Sequence, residues 1–324
     1  MPSELAVVFV TWNVRDLVLD ALRTLYADLD AHGPTAEVWL VDNASTDGTA
    51  EAVRAQFPQV HVLAEARNWG FAAGNNVALR AIGFGDPNTP PESLPRAVYF
   101  LNPDTRTHAG ATRTLYDALF TLPRAGVVGA QLAYADGSFQ HGAFALPGLW
   151  QLFIDLFPVP ARLYESRLNG RYPRAWYARG EPFPVGHVLG ATMMVRREVI
   201  AQTGMFDEDY FMYVEEVDWC ARIRRAGWEI YAVPRAHVTH LVGQSTGQAR
   251  PQNVINLWRS RLRYYDRTYS PLKRALARRL VRWGMRRQIA LTRRAHAAGQ
   301  LNAEQRDALI AAYRTVQQLT RQTP

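Results

Sequence analysis

Six acidic side chains fall within twelve positions, Asp207, Glu208, Asp209, Glu215, Glu216 and Asp218, and Arg222, Arg224 and Arg225 follow before Gly227. As helix electrostatics this order is favourable, since acids suit an N-terminus, bases suit a C-terminus, and Asp218 stands i,i+4 to Arg222. It does not explain why Glu215 and Glu216 are adjacent and bracketed by aromatic residues, because neighbouring like charges repel. Crowding and partial burial raise a carboxylate's pKa towards the working pH, which is what a general base requires. Glu215, Glu216 and Asp218 are therefore the catalytic candidates.

Other residues with chemical potential sit where apolar runs stop. Asp42 follows Val38–Val41, and a carboxylate there can accept the imide N–H of a uracil or thymine base. Ser45, Thr46 and Asp47 read mainly as caps of the next helix. The segment Asn68–Asn76 (NWGFAAGNN) matches neither GxxxxGK(S/T) nor GxGxxG, so ATP and nicotinamide chemistry lack support. Its small residues permit close helix packing, while Asn68 and Asn75 could bind ribose or a base. Asn102-Pro103-Asp104 leaves a hydrophobic run with Asp104 exposed to a ligand, either as a turn former or as a ligand for Mg²⁺ or Mn²⁺. A partner for Asp104 could be His240, one of two histidines in a β-like run with His237.

The elements that must position these residues alternate. Strands are expected at 5–11, 38–41, 60–63, 97–101 and 127–130, with helices near 15–29, 47–56, 75–82 and 110–121. Continuous apolar strands separated by helices imply a mostly parallel sheet covered on both faces, with ligands beyond the carboxyl ends of the strands. A Pro-rich loop spans 84–95, and an irregular aromatic stretch runs from about 134 to 184. A Gly-containing strand is expected at 185–195, a helix at 214–226, a strand at 228–233, and basic helices beyond about 250.

Of 324 residues, 48% are hydrophobic, enough for a large core, and Cys220 is the single cysteine. A disulfide framework and a multi-thiolate metal site are excluded, and a reducing cytoplasmic setting is expected. No run reaches the ~20 apolar residues of a membrane span, and the N-terminus reads as lacking an export signal. The last 74 residues hold 16 of the 37 Lys and Arg but 3 of the 29 Asp and Glu, so the tail carries +13 and the remainder −5. Within it, Leu272, Leu276, Leu280 and Trp283 form a helical stripe amid seven basic residues. That stripe either packs on the body or lies on an anionic membrane surface.

In order, Val8–Asn13 (VFVTWN), Val41–Thr49 (VDNASTDGT), Asn68–Asn76, Phe100–Asp104 (FLNPD), Gly204–Asp207 through Glu216–Arg222 (EVDWCAR), and His240–Ser245 (HLVGQS) resemble an inverting family 2 glycosyltransferase of GT-A fold, rhamnosyltransferase-like branch. The resemblance implies an α/β GT-A, Rossmann-like, mostly parallel sheet with helices on both faces, plus the basic helical C-terminal region. Residues 1–250 would be the transferase, with a nucleotide-binding half about 1–130 and an acceptor-binding half about 131–250; 251–324 would be the appended region. Thr11, Asn13, Asp42, Asn68, Gly70 and Asn75 would line the nucleotide, with Asn102 and Asp104 at its diphosphate. Asp104 matches the metal-binding end of the family's D-x-D element, in which Asn102 replaces the first Asp. Glu216 matches the Asp of the family's Glu-Asp base pair, and His240 would complete the metal site or contact the diphosphate.

The implied activity is transfer of a sugar from a dTDP- or UDP-linked donor to a hydroxyl of a saccharide or lipid-linked acceptor, with inversion, in cell-surface polysaccharide synthesis. A divalent cation, Mn²⁺ or Mg²⁺, is the expected cofactor. An anionic membrane surface is a further expected partner and nucleic acid is not, with the protein placed in the cytoplasm on the inner face of the membrane. Two other readings stand beside this one. A sugar nucleotidyltransferase would share the sheet but should carry a Gly-rich basic loop after the first strand, where Thr11–Asp16 (TWNVRD) has none. A non-catalytic nucleic-acid-binding protein would account for the tail but not for the acidic body.

Overall fold

The computed structural model describes residues 3–241 and 250–322. The first half runs β1 (Leu5–Thr11), α1 (Arg15–His32), β2 (Ala36–Asp42), α2 (Thr49–Gln56), β3 (His61–Ala64) and α3 (Gly70–Ile82). It continues through β4 (Ala97–Leu101), β5 (Thr105–Thr107), α4 (Ala111–Thr121) and β6 (Ala125–Ala133). The middle holds β7 (Phe139–Gln140), β8 (Ala143–Phe144), α5 (Leu149–Leu156), α6 (Ala161–Tyr164), α7 (Arg174–Ala178), β9 (Phe183–Pro184) and β10 (His187–Val188). After these come β11 (Thr192–Arg196), α8 (Arg197–Thr203), α9 (Glu215–Arg225) and β12 (Glu229–His240). Three long helices follow, α10 (Arg250–Thr268), α11 (Pro271–Ala297) and α12 (Ala303–Leu319).

The main sheet has the order β3-β2-β1-β4-β11-β6-β12-β5, with β7 paired to β6 and β9 to β12. The strands β3, β2, β1 and β4 are mutually parallel, as are β6 and β12, whereas β11 and β5 run antiparallel to their neighbours. This is the mostly parallel, doubly covered α/β sheet expected. Period-2 alternation sorts its side chains between the two faces. Val7, Phe9, Leu40 and Tyr99 enter one core with Leu22 and Leu25 of α1 and Leu115 and Leu119 of α4. Phe100, next along from Tyr99, points the other way into a ring cluster with Phe206 and Trp219, at 5.0 and 5.8 Å between centroids.

Three expectations shift. The helix expected at 75–82 begins at Gly70, so the small residues from Gly70 to Gly74 lie within it. The strand expected at 185–195 divides, with β10 joining β8 in a separate two-stranded sheet and β11 entering the main one. The strand expected at 228–233 continues to His240, so both histidines lie in it.

The chain separates into two compact units. One comprises Met1–Leu146, Tyr172–Phe211 and Glu215–Ser245, and the other Pro147–Arg171, Met212–Val214 and Thr246–Pro324. Within the second, Arg278 of α11 grips Asp266 of α10 through both carboxylate oxygens at 2.7 and 2.9 Å. Leu156 of α5 packs onto Gly284, where a Cβ would come within 2.5 Å of its methyl. Asn302 and Gln305 form a reciprocal capping box that starts α12.

Candidate active site

The parallel register of β1 and β2 sets Thr11 opposite Asp42 at the carboxyl edge of the sheet. Thr11 Oγ1 donates to Asp42 Oδ1 at 3.3 Å, and the Ser45 hydroxyl donates to the same oxygen. Among the described residues both hydrogen bonds to this carboxylate fall on Oδ1, which leaves Oδ2 for a ligand. Asn13, left-handed at φ 53°, accepts the Thr46 N–H on its side-chain oxygen at 2.8 Å, while its own N–H donates to Ser45 Oγ at 2.9 Å. The turns after β1 and β2 therefore hold each other around Asp42. Asn13 supports this loop through these bonds.

Asn43 was not singled out by sequence reasoning, yet it ties this edge to α3. Its amide donates to the Gly70 carbonyl at 3.0 Å, and the Asn68 side-chain oxygen accepts the Gly70 N–H at 2.8 Å. Gly70 is left-handed at φ 81°, and a Cβ there would collide with the Phe211 carbonyl, which also accepts the Phe71 N–H at 2.8 Å. Its glycine identity is thus explained by close backbone approach. Asn75 is buried and donates to the Phe71 carbonyl one turn back at 2.8 Å, a local helix bond. Asn76, also outside the expected set, donates to the Phe206 carbonyl and to Glu208, and accepts the Phe206 N–H.

The acidic cluster separates by burial and pairing. Burial raises Glu208, but hydrogen bonds from Asn76 and Arg80 outweigh it and hold its carboxyl below the usual range. Asp218 is 1% exposed and accepts from Arg222 Nε at 3.0 Å; Arg222 also donates to the Thr203 and Met205 carbonyls. Glu215 is 4% exposed. Residues 215 and 216 point about 100° apart around the helix, so packing treats them separately. Of the three carboxylates in the first turn, Glu216 alone is only partly buried. The chain enters this helix through Tyr213 and Val214, both left-handed at φ 70° and 72°, a costly conformation for a β-branched residue.

Asp218 has a testable structural role. Asp218→Ala should lower stability by about 3 kcal/mol, because it takes the buried carboxylate away from the partly buried Arg222 charge. Chemical denaturation measures it, and an unchanged midpoint would remove the ion pair from the account.

The loop between β10 and β11 brings the remaining groups together. A Cβ on Gly190 would lie 3.3 Å from the Phe71 ring and 3.9 Å from Glu216 Cβ, so the missing side chain keeps this space open. One residue on, the Ala191 carbonyl accepts the Asn102 N–H at 3.1 Å. Asp104 and His240 meet as expected, with His240 Nε2 3.4 Å from Asp104 Oδ1 and both largely buried. Two structural links hold them in place: β5 pairs Thr105 with His240, and Leu241 N–H donates to the Asp104 carbonyl at 2.9 Å. Gln140 approaches the other His240 nitrogen at 3.4 Å. The rest of that motif, residues 242–245, lies outside the described residues.

One carboxylate oxygen and one imidazole nitrogen 3.4 Å apart are a donor pair that would hold a divalent cation. No third His, Cys, Asp or Glu completes a metal-binding group among the described residues. The other positions would fall to substrate oxygens, the usual arrangement for a hard cation bound with a diphosphate. The mixed donor pair would suit Mn²⁺ better than Mg²⁺, which prefers oxygen. His187, by contrast, is held down to about 4 by burial and stacks on Phe144, so it remains neutral packing.

Residues 6–203 match the family model described as glycosyl transferase family 2. The chain is 32% identical to the N-acetylglucosaminyl-diphospho-decaprenol L-rhamnosyltransferase of Mycobacterium tuberculosis over 301 residues, 90% of this chain and 92% of the relative. It is 23% identical to the dTDP-rhamnosyl transferase RfbF of Shigella flexneri over 252 residues, 76% of this chain and 72% of that one. Among solved structures, the mannosyltransferase PcManGT of Pyrobaculum calidifontis, in complex with GDP-Man and Mn²⁺, superposes with a TM-score of 0.54 at 20% identity, covering 99% of this chain and 85% of that chain.

Proposed function

The chain belongs to glycosyl transferase family 2, and we propose that it carries a sugar from a nucleoside diphosphate sugar to a hydroxyl of a saccharide or lipid-linked acceptor in cell-surface polysaccharide synthesis. The observation that carries the reading is the Leu189–Ala191 loop, where Gly190 borders Glu216 and Ala191 fixes the Asn102–Asp104 turn. In this assignment Glu216 removes the acceptor proton as the hydroxyl attacks the anomeric carbon from the face opposite the diphosphate, so one displacement inverts the centre. Asp104 and His240 hold the diphosphate end. When bound, a divalent cation there supplies positive charge to the leaving group. Asp42 Oδ2 reads the base, with Thr11, Asn13, Asn68, Gly70 and Asn75 keeping its surroundings in place.

A base reader of this kind would suit a pyrimidine nucleotide, dTDP- or UDP-linked, and the likeness to a dTDP-rhamnosyl transferase supports dTDP-rhamnose as the first donor to try. Residues 1–130 would bind the nucleotide, 131–250 the acceptor, and 251–324 would serve as a basic appendage. Work in the cytoplasm, at the inner face of the membrane, accords with this acceptor class and with a single cysteine.

A donor panel tests the reading. With Mn²⁺ present, dTDP-rhamnose or UDP-sugar at 100 times its dissociation constant should add about 2.7 kcal/mol of stability in a thermal-shift assay. A GDP-sugar at the same concentration should add much less, and Asp42→Ala should abolish the difference. Equal shifts with GDP- and pyrimidine-linked donors would remove Asp42 as the base reader.

A further inference from the structure

We propose that the outward face of α11 is a docking surface for an anionic lipid membrane. Between Pro271 and Ala297 this helix carries nine Lys and Arg and no Asp or Glu. At 100° per residue its sides are easily separated. Ala277, Val281, Gly284, Met285 and Thr292 are buried along one side. Arg278 turns inward to Asp266, and Arg287 donates to the Leu156 carbonyl at 3.1 Å.

The opposite side is different. Leu272, Leu276 and Trp283 are 73%, 41% and 54% exposed, and the exposed Arg279 and Arg286 lie between and beside them. These five fall within an arc of about 80°, centred opposite Val281. The apolar stripe visible in the sequence is therefore not what packs this helix, which uses smaller residues on its other side. Large apolar side chains gathered in water, rather than scattered, mark a surface that meets something.

The mixture of residues selects the partner. A nucleic acid would satisfy the arginines but leave two leucines and a tryptophan unexplained. An apolar protein groove would satisfy the leucines but not the surrounding positive charge, which no acid on the helix offsets. An anionic bilayer accommodates both, since apolar side chains enter the headgroup boundary, tryptophan favours that boundary, and arginines meet lipid phosphates. No described helix is long and apolar enough to cross a membrane, so α11 would lie along the surface. This surface does not depend on the sugar-transfer reading.

The test uses the full chain and vesicles, with no activity readout. Cys220 is buried, and burial pushes its thiol up, so a polarity-sensitive thiol dye will label the exposed Leu276→Cys variant selectively. Vesicles with about 30 mol% phosphatidylglycerol should shift the dye emission to the blue and sediment the protein, whereas pure phosphatidylcholine should do neither. Arg279→Gln with Arg286→Gln should lower partitioning roughly 30-fold, and added salt should act likewise. Trp283→Ser with Leu272→Ser should remove the residual binding, and because these positions are exposed the circular dichroism should not change. Equal binding to neutral vesicles, binding indifferent to both pairs of substitutions, or binding to duplex DNA in place of vesicles would overturn the proposal.

Discussion

Glu216→Gln is expected to lower turnover by roughly 10²–10⁴-fold while leaving nucleotide-sugar affinity nearly unchanged, the range associated with removing a positioned general base. The amide keeps the size and hydrogen-bonding reach of the side chain and removes only its basicity. Nearby carboxylates have structural places: Asp218 is paired with Arg222, Glu208 is held by Asn76 and Arg80, and Glu215 is buried. Glu216 sits in the first turn of α9, beside the space that Gly190 leaves open. Steady-state kinetics with a saturating donor, together with donor affinity by calorimetry, separate proton removal from binding. Wild-type turnover in Glu216→Gln, with a loss in a folded Asp218→Asn, would move the base two residues along the helix.

Asp104→Ala should reduce Mn²⁺-supported turnover by roughly 10²–10³-fold, the usual consequence of losing one group that stabilises charge on a departing oxygen. It should also weaken donor binding, in contrast to Glu216→Gln. The substitution leaves the fold's own bond intact, because Leu241 donates to the Asp104 backbone carbonyl and not to its carboxylate. His240→Ala should fall in the same direction, since the two side chains approach each other at 3.4 Å. A Mn²⁺ titration of donor binding is the decisive measurement. Full activity in excess chelator, or an Asp104→Ala variant with wild-type Mn²⁺ dependence, would remove the metal from this account.

The contrast between α9 and α11 shows how much of this protein can be read from a single chain. Strands β1, β2 and β4 announce themselves as uninterrupted apolar runs, and parallel pairing then makes it inevitable that Thr11, Asp42 and Asn102 collect at one edge of the sheet. The pairing of Asp218 with Arg222 is equally local, being set by helical spacing. The meeting of Asp104 with His240 follows once β5 and β12 are neighbours, although 136 residues separate them in sequence. Which acid of the first turn of α9 remains partly accessible is not local. Helical periodicity separates Glu215 from Glu216 by about 100°, but only the packing of α9 decides which direction is inward.

The same holds for Gly70, required by a carbonyl at Phe211, and for Asn76, whose partner Phe206 lies 130 residues away. It holds for α11 as well, where two faces are possible core faces by composition. Short-range periodicity is written in a dozen residues, because it depends only on backbone geometry and side-chain type. Which face is buried, and which glycine must lack a side chain, depends on segments distant in the chain that meet only when the whole core closes, so those answers exist only in the folded molecule.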